Sequence, residues 1–106
     1  MGIDKAVADE IVSRVTAVVP ATRIILFGSA ATGDMTPDSD IDLLVLEKEL
    51  TDVRAERLRV RMALRGINFP FDIIMMTEGR FEETKNVIGG IAYPANEHGL
   101  VIYDAA

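Results

Sequence analysis

Three aspartates and a glycine–serine pair supply the residue types from which a phosphate-handling site is built. Asp40 and Asp42 stand two apart at the head of the apolar run Ile41 to Leu46. In an extended chain, Asp40, Asp42 and Leu44 share one face while Ile41, Leu43 and Val45 share the other. The second set is a ready core face. The first projects two carboxylates about 7 Å apart, at ~3.3 Å per residue. Carboxylates that close raise each other's proton affinity unless a cation lies between them. Hard oxygen ligands of this kind suit Mg²⁺, which completes its shell with water and phosphate oxygens. Asp72 repeats the device between Phe71 and Ile73. If its strand lies beside that of Asp42, three acids converge at one sheet edge. Three acids can hold two ions roughly 3.5–4 Å apart, the arrangement for in-line phosphoryl or nucleotidyl transfer. Gly28-Ser29 follows the apolar run Arg23 to Phe27. A glycine there allows close backbone approach to a ligand, free amides can bind an anion, and Ser29 adds a hydroxyl donor.

Blander readings compete. Asp40 and Asp42 alone would suit a solvated edge strand, but the company of Gly28, Ser29 and Asp72 weighs against it. Asp38, Asp40, Asp42 and Glu49 also fall at EF-hand loop positions, yet Leu43 occupies the place that demands glycine, and the match fails. Ser29 can cap a helical turn at Ala30 as well as serve a ligand. His98 reads as a helix-end residue, Asp34 and Asp38 as turn residues beside Gly33 and Pro37, and the methionines as core filler.

The elements that must position these residues are short. Ile3, Val7, Ile11, Val15 and Val18 recur at helical spacing, and Pro20 closes that helix. Strands are expected at Arg23–Phe27, Asp40–Leu46, Phe71–Met76 and Leu100–Tyr103. Thr51 is placed to cap a helix from Asp52 to about Arg65, ended by Gly66. Thr77 opens a further helix reaching about Val87, and Pro94 suits the first turn of a short last one. The order α-β-β-α-β-α-α-β suits one α/β unit over residues 1–106, a mixed sheet of about four strands with helices against it. The helix bearing Arg54, Arg57, Arg61 and Arg65 carries a basic stripe, which reads first as a solvated face and second as a partner or RNA surface, and its apolar residues lie on two sides: Val53, Val60 and Leu64, then Leu58 and Met62. One side suits the sheet; the other hints at a second subunit.

Composition bounds the rest. The 106 residues are 49% hydrophobic and 26% charged, a globular balance. A net charge of −6 disfavours a passive coat for nucleic acid, and no direct DNA binding is expected. The chain has no cysteine, which excludes disulfide frameworks and Cys-ligated metal sites, and one histidine, which removes multi-histidine sites. No apolar run approaches the roughly 20 residues of a membrane span, and the start lacks signal-peptide character. A cytoplasmic protein is the expectation.

Gly28-Ser29, ten intervening residues, then Asp40-Ile41-Asp42 resembles the GS-x10-DxD motif of the DNA polymerase beta-like nucleotidyltransferase superfamily. The length and context resemble its minimal nucleotidyltransferases, and the likeness extends to Asp72 and the closing GLVIYD segment. The resemblance implies that Asp40 and Asp42 bind metal, that Asp72 is the third acid serving the attacking hydroxyl, and that Gly28 and Ser29 contact the triphosphate. It implies Mg²⁺, two ions, and ATP as donor of AMP to a hydroxyl. It further implies a small all-helical HEPN-type partner, with this chain as antitoxin and the partner as acceptor. Many relatives carry arginines where this chain has Ala30 and Thr32. Arg23 or a partner's arginine are the candidates to replace them. That departure keeps a rival open, a binding module that neutralises its partner by contact alone. A small-molecule, antibiotic-type adenylyltransferase with its acceptor site across a homo-oligomer is a third reading.

Overall fold

The computed structural model describes residues 3–28, 31 and 39–105. Asp4 caps the first helix, its side chain accepting from the Val7 amide at 2.9 Å, and α1 (Lys5–Val18) buries Ile11 and Val15. Pro20 separates it from β1 (Ala21–Phe27). β2 (Ile41–Glu47) leads to α2 (Val53–Ala63), which crosses to β3 (Phe71–Thr77). α3 (Glu78–Thr84), α4 (Ala92–His98) and β4 (Leu100–Asp104) complete the chain. This is the expected element order, with small changes at the ends. Asp52, not Thr51, caps α2, accepting from the Ala55 amide at 3.1 Å. Aspartate is the better cap, because its carboxylate also meets the positive end of the helix. The helix stops at Ala63, two residues early, and the chain turns through Gly66 at φ +95°.

The sheet order is β3-β2-β1-β4. β1 pairs antiparallel with both β2 and β4, while β2 and β3, joined through a helix, run parallel. Strand alternation then builds two cores. Ile24, Leu26, Ile41, Leu43, Val45, Ile73 and Met75 pack on one face with α1 and α2, through Ile11, Val15, Val60 and Leu64. Ile25, Phe27, Leu44 and Leu46 pack on the other with Phe81, Ala92 and Ala95 of α3 and α4. The result is three layers, helix–sheet–helix, with the central strands β1 and β2 covered on both sides. Among the described residues, no helix is long and apolar enough to cross a membrane.

Candidate functional site

The site gathers where β1 ends and β2 and β3 begin. Antiparallel pairing sets Phe27 opposite Asp42, and parallel pairing sets Asp42 opposite Asp72. Adjoining strands lie about 4.8 Å apart, so the two aspartates are immediate neighbours. Both are in phase with the residues facing α3 and α4: Leu44 and Leu46 after Asp42, Ile74 and Met76 after Asp72. The helices do not close over this end, and Asp72 stays exposed while Asp42 is half-buried. Asp40 precedes the first strand residue and is also exposed.

Burial pushes the Asp42 carboxyl above the usual carboxylate range, and the negative charges of Asp72 and then Asp40 push it further the same way. The three acids therefore form one electrostatic group. Among the described residues no three acidic or histidine side chains come together as a group that could hold a metal ion; the structure brings Asp42 and Asp72 side by side and leaves Asp40 outside that pair. What the described residues offer is a neighbouring pair of hard oxygen donors that repel each other, a donor set that fits Mg²⁺ sharing its shell with water and phosphate.

Gly28 is required here for two reasons. Its φ of +69° lies in the left-handed region, and a Cβ on its backbone would run into Asp42 Oδ2. Sequence reasoning assigned this glycine to ligand approach; the structure adds that it also makes room for the aspartate. The signal was legible only as a glycine ending a strand, because the partner carboxylate comes from another strand. Ser29, Ala30, Thr32, Gly33, Asp34, Pro37 and Asp38 lie outside the described residues.

Arg23 does not fill the place of the missing arginines. It sits at the opposite end of β1, five residues from Gly28, or about 17 Å along a strand. There it forks onto Glu78, Nε donating to Oε2 at 3.1 Å and Nη2 to Oε1 at 2.5 Å, and lies 5.0 Å from the Phe81 ring centre. Thr22 Oγ1 donates to the same Glu78 carboxylate at 2.6 Å, and these contacts hold Glu78 below its ordinary range. This guanidinium serves to clamp β1 to α3. His98 is the last residue of α4, as a helix-end histidine should be.

A three-layer α/β unit with paired acids beside a glycine bend is the architecture of a nucleotidyl-transferring domain. Residues 6–90 match the family model described as a nucleotidyltransferase domain, and the chain belongs to that family. A Methanocaldococcus jannaschii protein, provisionally named a protein adenylyltransferase, is 38% identical over 53 residues, which are 50% of this chain and 52% of the relative. The chain thus spans about half the length of the curated relative it matches. Among solved structures, a toxin–antitoxin complex with AMP-PNP superposes with a TM-score of 0.66 at 18% identity, covering 92% of this chain and 73% of the other. The MNT antitoxin complexed with a tri-AMPylated HEPN toxin of Shewanella oneidensis gives 0.61 at 16%, covering 95% and 73%. At these identities the likeness establishes the fold.

Proposed function

We propose that this chain transfers AMP from ATP to a hydroxyl of a small helical HEPN-type partner, as the antitoxin of a toxin–antitoxin pair. The observation that carries the reading is the lateral pairing of Asp42 with Asp72 beside the Gly28 bend. In the reaction, the acceptor oxygen forms a bond to the α-phosphorus, the bond from that phosphorus to the bridging oxygen breaks, and pyrophosphate leaves with the electron pair. Asp40, Asp42 and Asp72 would hold Mg²⁺, two ions in the full site, which supplies charge neutralisation and alignment of the phosphates. Asp72, exposed at the strand head, orients the attacking hydroxyl and takes up its proton. Gly28 and Ser29 seat the triphosphate through backbone amides and the serine hydroxyl. The relative's name and the MNT–HEPN complexes support this choice of donor and partner, and a cytoplasmic setting suits an ATP-dependent antitoxin.

Contact-only neutralisation is the competing reading, and the engagement of Arg23 elsewhere favours it by leaving the triphosphate with fewer cations. One experiment separates them. The protein is incubated with labelled ATP, Mg²⁺ and a HEPN-type protein encoded beside it, and the same is done with Asp42→Asn. The expected result is label on the partner with the parent chain and a loss of at least about 100-fold with the variant. Equal labelling by both proteins, or neutralisation that survives without any labelling, overturns the transfer reading.

A further inference from the structure

The outer face of α2 combines features that no part of the proposed reaction uses. Helical spacing brings Arg54, Leu58, Arg61 and Met62 onto one side, with Arg65 just beyond the end of the helix, away from Val60 and Leu64, which bury against the sheet. All five are exposed, Leu58 by 58% and Met62 by 52%. Among the described residues, Arg54, Arg61 and Arg65 have no ion-pair partner. The contrast with α1 is direct, since its Lys5 and Arg14 each pair with an acid four residues away. Beyond Arg59, which pairs with Glu56 at 4.0 Å, and Arg61, which stands in the last turn where a cation suits the helix end, the arginines of α2 gain no ion-pair partner among the described residues. They concentrate positive charge on a chain whose net charge is −6.

We propose that this face docks an acidic amphipathic helix of another protein. Leu58 and Met62, four apart, form the apolar seam that a helix with leucines at the same spacing would cover. The arginines flank the seam, with stems that extend the apolar contact and guanidinium groups that reach partner carboxylates. A second copy of this chain is a poor occupant, because a two-fold contact through this face sets arginine against arginine. Nucleic acid is also disfavoured. The centre of the patch is aliphatic, with no ring for a base to stack on. The face lies on the side of the sheet opposite Asp42 and Asp72, so the inference does not depend on the transfer reading.

The test uses the full chain and a synthetic helical peptide with a leucine seam flanked by glutamates. A control peptide carries lysines in place of the glutamates, and a short RNA is the second control. Backbone amide shifts in NMR titrations report where each binds. Expected are shifts confined to α2 with the glutamate peptide, and affinity falling as NaCl rises from about 0.05 to about 0.5 M. Leu58→Ser and Arg61→Glu should each weaken binding by about tenfold or more. Both sites are exposed, so unchanged circular dichroism melts separate lost docking from lost folding, and Asp42→Asn should bind as the parent does. The proposal is overturned if the glutamate peptide fails to bind or shifts residues elsewhere, if the lysine peptide binds equally, or if only the RNA titrates α2.

Discussion

At the residue scale, the site is a compromise between stability and chemistry, and Gly28 shows where the two meet. An alanine there would hold a left-handed backbone at a cost of about 1–2 kcal/mol. Its Cβ would also displace the Asp42 carboxylate. Gly28→Ala should therefore lower the melting midpoint and, beyond that, weaken nucleotide binding measured by calorimetry in the presence of Mg²⁺. A variant that melts lower but binds ATP as tightly as the parent would show that the glycine serves the fold alone. The sequence made the glycine and the three aspartates visible, because strand alternation and a short motif suffice for that. It could not show that glycine and aspartate compete for the same space, which is a fact of cross-strand register.

At the element scale, the least expected feature is a pair of buried carboxyls at the far end of β2. Glu47 is 1% exposed and Glu56, on α2, is 6% exposed. Among the described residues, neither Glu47 oxygen has a hydrogen-bond donor. Burial, then the adjacent carboxyl of Glu56, pushes Glu47 up to about 7 from 4.5, with Arg59 opposing weakly. The folded chain thus binds this proton more tightly than the unfolded chain does. The resulting stability is present below about pH 4.5 and is lost as the pH climbs through 7. Glu47→Gln should flatten that part of the stability–pH curve and raise stability at about pH 8 by up to about 3 kcal/mol. Circular dichroism melts across the pH range check it, and an unchanged slope would assign the effect to other groups. The phase of this pair was legible. Glu47 continues the alternation of Ile41, Leu43 and Val45, and Glu56 falls among Val53, Val60 and Leu64. A charged residue at a strand end reads naturally as an edge, however, and only the crossover of α2 brings the two acids together. The role of Arg23 escaped for the same reason, since its partners on α3 lie more than fifty positions away in the chain.

At the scale of the whole molecule, β1 and β2 have helices on both faces and strands on both sides, whereas β4 is an edge with Leu100 and Val101 about half exposed. Protection from hydrogen exchange should follow that order. Amides of Ile24–Leu26 and Leu43–Leu46 should open only with global unfolding, and those of β4 through smaller local openings. Exchange measured by NMR at low denaturant checks this, and uniform protection across all four strands would contradict it. Element order and layer composition were within reach of the sequence because short alternating strands and capped helices leave few arrangements.

The parallel pairing of β2 with β3 carries one last consequence. Sliding β3 by a single position would swing its aspartate to the opposite side of the sheet, and what forbids the slip is the fit of Ile73 and Met75 in the grease beneath. The placement of Asp72 beside Asp42 is thus set by oily residues on the other face of the sheet. An engineer retargeting the scaffold is free to rewrite exposed turns, but must keep that hydrophobic cadence untouched.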